Sequence, residues 1–232
     1  ARLRGDGVRV AVKVVVADKK RMLSDLACAS RTAAAMRRLG LDSGVDFPTV
    51  FAAYSDVVDE EFDLTLEAEK MREFAAVFKE SGLDHLVAVP EPHERLSGAG
   101  VLVSTRARGK KLLETLNRAR ETGRAPKCPR AAAITHAFGG TDPRFDGWDG
   151  VFHTMHRAWG AMLLRHGHVH CDPHPGNFIL RRDGKLAILD WGQTHSFAPP
   201  FRRHLCRLVV HMTGEHHEAI AAEVREHSQG RL

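Results

Sequence analysis

A chain of 232 residues with 43% hydrophobic content is long enough to bury a real core, as one large domain or as two lobes, and this excludes general disorder. Its 34 lysines and arginines against 29 aspartates and glutamates leave a formal charge of +5, which favours anionic partners such as phosphates or a lipid headgroup surface. The basic residues are mixed with acidic ones and lack interleaved aromatics, so no nucleic-acid partner is expected; no apolar run reaches the roughly eighteen residues of a transmembrane helix; and Cys28, Cys128, Cys171 and Cys206 show no C-x-x-C spacing, which fits a reducing compartment.

In chain order, "GVRVAVKVVVAD" alternates as a strand with Val8, Val10, Val12, Val14 and Val16 on one face and Arg9, Ala11, Lys13 and Val15 on the other, so a lysine sits mid-strand. "DKKRMLSDLACASRTAAAMRRLG" carries Met22, Leu26, Ala29, Ala33 and Met36 at helical spacing and stops at Gly40. "FPTVFAAYSDVV" reads as a short strand-like piece before a second helix from about Leu64 to Ser81. In that helix Glu67, Met71, Phe74 and Phe78 share one stripe, which puts a carboxylate in line with the residues most suited to burial and predicts a cationic partner. "LVAVPEPHERLSGAGVLVSTRARG" predicts two strands around a glycine-containing hairpin, and "GKKLLETLNRARETG" predicts a helix. A loop-rich stretch, "APKCPRAAAITHAFGGTDPRFDGWDG", precedes a helix that aligns Phe152, Met155, Trp159 and Met162; two more helices, "PFRRHLCRLVVHMTG" and "HHEAIAAEVREH", close the chain.

Between them lies "VHCDPHPGNFILRRDGKLAILDWGQ". It predicts a hairpin from Phe178–Leu180 through a turn at Asp183 and Gly184 to Leu186–Leu189. Asn177 and Asp190 then fall at its open end, one amide and one carboxylate, which is the oxygen set a Mg²⁺ ion accepts beside phosphates and water. Asp172, in a proline-braced loop just before, is placed to accept or orient a proton. Taken singly these are ordinary turn and cap residues. With mid-strand Lys13 and striped Glu67 they match what a protein-kinase-like site needs: a strand lysine on phosphates, a helix glutamate orienting it, a loop aspartate, and an asparagine and an aspartate on metal. A zinc reading competes through His166, His168, His170, Cys171 and His174, but no second ligand cluster or H-E-x-x-H spacing accompanies it, and His170 is expected instead to fix the Asp172 loop through a backbone carbonyl.

"HCDPHPGNFIL" followed by "AILDWG", together with "VAVKV", resembles the ABC1/ADCK/UbiB family of atypical kinases. "EEFDLTLEAEK" resembles the family's E-x-D-(x)3-E-A-x-N element, with Glu61 and Asp63 as the family-specific acidic pair, Glu67 as the partner of the lysine, and Lys70 where the element carries asparagine. The resemblance implies an α+β, two-lobed protein-kinase-like fold, with a strand-rich N-lobe over 1–106, truncated at its start, and a mostly helical C-lobe over 107–232. It implies ATP with Mg²⁺ or Mn²⁺ as cofactors, held by Lys13, Glu67, Asn177 and Asp190, with Asp172 in the catalytic loop. It also implies ATPase or kinase activity that supports ubiquinone or other prenyl-lipid metabolism. A prenyl-lipid or quinone precursor and an anionic membrane surface follow as partners, at a mitochondrial, chloroplast or bacterial cytoplasmic membrane. The K-x-G-Q and alanine-rich nucleotide-loop elements expected upstream of Lys13 are not in the chain, and Ser104-Thr105 stands where the linker usually has Met-Glu. Two other readings remain: a pseudokinase scaffold that regulates a membrane-bound partner, and a small-molecule phosphotransferase.

Overall fold

The computed structural model describes residues 1–4, 7–16, 18–39, 47, 49–51, 58, 62–123, 148–214 and 216–229. They form two compact units: 1–72 with 90–106 and 190–192, and 73–89 with 107–189 and 193–232. Glu61 and the predicted loop-rich stretch up to Gly147 lie outside the described residues.

The first unit is built on an antiparallel pair, β1 (Val10–Val14) and β3 (Val101–Thr105), with Lys13 opposite Leu102. The alternation of β1 is present, but its valine face is largely open: Val10 is buried, whereas Val8, Val12 and Val14 keep 44%, 45% and 54% of their surface. On β3, Leu102, Val103 and Ser104 are all buried, so both of its faces are covered there. Helix α1 (Lys19–Arg38) starts on Asp18, whose carboxylate accepts the N–H groups of Lys20 and Arg21. Its apolar stripe forms as expected, yet none of its residues is buried. The described residues of the predicted strand-like piece, Phe47, Thr49, Val50, Phe51 and Val58, are helical.

Helix α2 (Leu64–Glu80) begins in the first unit and finishes in the second. Asp63 caps it, accepting both the backbone N–H and the hydroxyl of Thr65, and these bonds hold its carboxyl below the usual aspartate range. The predicted stripe is buried throughout, Glu67 included, together with Leu64, Ala68 and Val77. Each fully buried side chain such as Phe74 or Phe78 stabilises by about 1.5–3 kcal/mol.

The second unit holds a four-stranded sheet in the order β2-β7-β6-β4, made of β2 (Val87–Ala88), β4 (Gly109–Lys111), β6 (Phe178–Arg181) and β7 (Leu186–Ile188). The β6–β7 hairpin has the predicted register, with Phe178 opposite Ile188 and Leu180 opposite Leu186. Its turn is locked by Gly184 at φ 82° and by Arg181, whose guanidinium forks onto Asp183 at 2.7 and 3.1 Å. Burial pushes the Asp183 carboxyl up, but Arg181 and the N–H of Lys185 outweigh it and leave the group below its ordinary value. Of the two strands expected around a glycine-containing hairpin, β2 runs parallel to β7 and β3 pairs with β1; the arms of that segment meet antiparallel at isolated bridges, Pro92 with Ser104 and Gly98 with Val101. At Gly109 a Cβ would run into the carbonyl oxygen of Leu180, so the approach of β4 to β6 requires glycine.

Helix α3 (Leu112–Thr122) ends at Gly123 in the left-handed conformation. Helix α4 (Trp148–Gly160) runs into a π-helix over Ala161–His166. Of the predicted line, Met162 is buried, Met155 and Trp159 are half-buried and Phe152 is 51% exposed; Val151, Thr154 and Ala158 complete the buried face. Strand β5 (His168–His170) pairs with β8 (Thr194–Ser196), and α5 (Pro199–Thr213) and α6 (His217–Gln229) follow as the periodicity predicts.

Candidate active site

In the first unit Lys13 projects from β1 to two carboxylates. Its Nζ lies 2.8 Å from Oε2 of Glu67 and 2.8 Å from Oδ1 of Asp190. Burial alone would lower the lysine's pKa; the hydrogen bonds and charges of Asp190 and Glu67 outweigh it and raise the group above its ordinary 10.5, so it is an ammonium at any physiological pH. Glu67 has a second task. Its Oε1 accepts the N–H of Trp191 at 3.1 Å, a bond between buried groups that ties α2 to the Asp190–Gly192 segment. Asp190 itself has φ 52°, the one positive φ at a non-glycine position among the described residues, and its Oδ1 also accepts the N–H of Gly192 at 3.4 Å. A turn of this kind aims the carboxylate away from the direction of the strand it follows.

In the second unit the loop between β5 and β6 is held by neutral groups. His170, buried at the end of β5, accepts the N–H of Asp172 on Nδ1 at 3.2 Å and donates Nε2 to the carbonyl of Leu189 at 3.3 Å. One ring nitrogen accepts and the other donates, which fixes the uncharged Nε2–H tautomer. The carbonyl of His170 is in turn bonded by the indole N–H of Trp159 at 3.0 Å. Asn177 closes the loop, its Nδ2 reaching Oδ2 of Asp172 at 2.7 Å and the Asp172 carbonyl at 3.3 Å. Both partners can only accept, so the amide nitrogen must face them and the amide oxygen must face the other way. That orientation suits a cation ligand. The N–H of Leu189 donates to the carbonyl of Asn177 at 2.7 Å, and Asp190 is the next residue in the chain.

Of the residues named from sequence, the structure brings Lys13, Glu67 and Asp190 together in one cluster and Asp172 and Asn177 together in another. Asp63 serves as the cap of α2, and Glu61 lies outside the described residues. His170 fixes the Asp172 loop through a backbone carbonyl, that of Leu189, and through the Asp172 N–H as well. Sequence reasoning missed the Trp191 N–H on Glu67 and a bond from Lys70 Nζ to the carbonyl of Gly192 at 3.2 Å. The placement of Lys70 three residues after Glu67 was the available signal. Among the described residues no group of three His, Cys, Asp or Glu side chains could hold a metal, and His168 is instead paired with Glu73 at 2.7 Å. No described helix is long and apolar enough to cross a membrane.

A strand lysine paired with a helix glutamate, a turn aspartate and a separate aspartate–asparagine loop, on an α+β frame, define a kinase-like protein. The chain belongs to the ABC1 atypical kinase-like domain family, whose model matches residues 1–224. It is 28% identical over 223 residues to the Arabidopsis thaliana protein ACTIVITY OF BC1 COMPLEX KINASE 1, chloroplastic, which covers 95% of this chain and 29% of that protein. AarF domain-containing protein kinase 1 of Xenopus laevis is 35% identical over 63 residues, 25% of this chain and 12% of that protein. The chain thus spans less than a third of the length of these relatives. Among solved structures, the Rv3197–erythromycin complex from Mycobacterium tuberculosis shares the fold with a TM-score of 0.61 at 21% identity, over 96% of this chain and 49% of that one.

Proposed function

We propose that the chain carries the nucleotide and metal site of an ATP-dependent phosphotransferase or ATPase. The observation that carries this reading is the Lys13 ammonium held between Glu67 and Asp190 at 2.8 Å each. A half-exposed cation fixed by a buried carboxylate is a phosphate-binding device: Glu67 sets its position, and the exposed part of the ammonium remains open to an anion. Asn177 offers its amide oxygen and Asp190 its carboxylate as the Mg²⁺ or Mn²⁺ ligands, and the bound ion would neutralise charge on the transferring phosphoryl group. The donor set fits the ion, since both ligands are hard oxygens and nucleotide phosphates complete the coordination.

Asp172 is the residue that acts on the attacking group. Its backbone is fixed by His170 and its Oδ2 by Asn177, which leaves the carboxylate oriented to take a hydrogen bond from an incoming hydroxyl or water. The acceptor class proposed is a prenyl-lipid or quinone precursor at an anionic membrane surface. The family resemblance and the formal charge of +5 support it. Relatives named chloroplastic support a plastid membrane, and relatives from Synechocystis and Mycobacterium tuberculosis support the bacterial alternative.

Asp172→Asn in the full protein tests the reading. ATP affinity by calorimetry is expected to stay within a few fold, while phosphate release on anionic liposomes falls by roughly 10²–10⁴. Equal turnover by wild type and variant would move the protein to the scaffold reading.

A further inference from the structure

Helix α2 grips the Asp190–Gly192 segment with two side chains one turn apart. Glu67 takes the N–H of Trp191, and Lys70 donates to the carbonyl of Gly192. The segment needs such a grip, because Asp190 at φ 52° sits in a conformation that side-chain-bearing residues rarely adopt. Among the ties that oppose its relaxation are the Lys13 bridge to the Asp190 carboxylate, the Glu67 bond to Trp191, and the Lys70 bond to Gly192.

These ties differ in how they respond to a ligand. Lys13 is the cation proposed to engage phosphates, so a bound nucleotide competes for the ammonium that also holds Asp190. Lys70 bonds the backbone carbonyl of Gly192, outside the Lys13–Asp190 bridge that this exchange breaks. Its long side chain brings a full charge to a carbonyl acceptor.

We infer that Lys70 is a positioning residue for Asp190: it pins the Gly192 carbonyl and so keeps the Asp190 carboxylate in its aimed conformation when Lys13 turns to phosphate. The consequence for metal binding rests on the nucleotide reading above; the pinning itself does not.

Amide hydrogen exchange on the full protein without nucleotide tests the pinning. In Lys70→Met the amides of Trp191 and Gly192 are expected to exchange at least about tenfold faster, with α2 amides from Met71 to Phe78 unchanged and Lys70→Arg restoring protection. Wild-type protection in Lys70→Met, or a loss that Lys70→Arg does not restore, overturns the inference. If Lys70→Met also loses protection along α2, Lys70→Gln, which keeps a polar side chain without the charge, is read by the same criterion. A second arm titrates Mn²⁺ by electron paramagnetic resonance with ATP present. Lys70→Met should bind the ion about five- to tenfold more weakly than wild type, a loss near 1 kcal/mol. Wild type that binds no Mn²⁺ with ATP would defeat the nucleotide reading, and the exchange arm would still decide the pinning.

Discussion

The two side-chain clusters, one in each unit, are held by different forces. Around Lys13 in the first unit the ties are ionic: an ammonium between two carboxylates, one buried and one half-exposed. Around Asp172 in the second unit they are neutral and short-range: a buried imidazole bonded on both nitrogens and an amide folded back on the loop. An ionic cluster can exchange partners with a charged ligand at little cost, because each broken pair is replaced by another. A loop fixed by neutral bonds to backbone keeps its shape whatever the ligand does. The first arrangement suits binding, the second suits orientation of a reacting group.

The difference can be broken at its ionic end with the largest effect. Glu67→Ala removes one of the two carboxylates on Lys13 and the carboxylate that accepts the buried Trp191 N–H, so thermal or urea unfolding should show a loss of about 2–4 kcal/mol, below a fully buried pair because the Lys13 side is half-exposed. Glu67→Gln keeps an acceptor for Trp191 and should recover part of it. Wild-type stability in Glu67→Ala would mean that the charge cluster is not a structural tie at all.

At the neutral end, His170→Phe fills the same space but strands the Leu189 carbonyl and the Asp172 N–H. A cost of about 2 kcal/mol is expected, with ATP affinity preserved and turnover reduced, since the loop and not the phosphate site is loosened. A variant that lost ATP affinity and kept turnover would reverse the roles assigned to the two clusters.

A smaller effect sharpens the contrast through pH. The Lys13 group is raised above 10.5 in the folded protein, so its ion pairs stabilise fully below the unfolded pKa and the contribution fades as pH rises through the higher folded value. Urea unfolding between pH 8 and 11 should therefore show a loss at the alkaline end in wild type that is missing in Lys13→Met. An identical alkaline slope in both proteins would show that Lys13 does not carry it.

Much of this was legible in the sequence where pattern and chemistry agreed. The β6–β7 hairpin was readable because Asp183-Gly184 marks its turn and apolar residues flank it, and the α2 stripe because Glu67 broke an otherwise apolar line and so demanded a cation. Alternation in β1 was visible, but periodicity does not say whether a face will be covered, and past Val10 both faces of β1 are open. In α4 a slip of one residue turns the face by about 100°, enough to exchange Phe152 for Val151 at the core. The pairing of β2 with β7 joins segments far apart in sequence, and a two-residue strand carries no pattern that could announce it. The Trp191 and Lys70 bonds were hidden for a related reason: backbone groups that meet distant side chains leave no trace in residue type.

Asp190, held by Lys13 and turned at positive φ, is proposed to be a metal ligand that works with nucleotide. Calorimetric titration of ATP into wild type and Asp190→Asn, each with and without Mn²⁺, tests it most directly. Mn²⁺ is expected to strengthen ATP binding by about tenfold or more in wild type, near 1.4 kcal/mol, and to have little effect in Asp190→Asn. The same Mn²⁺ enhancement in both proteins would contradict it.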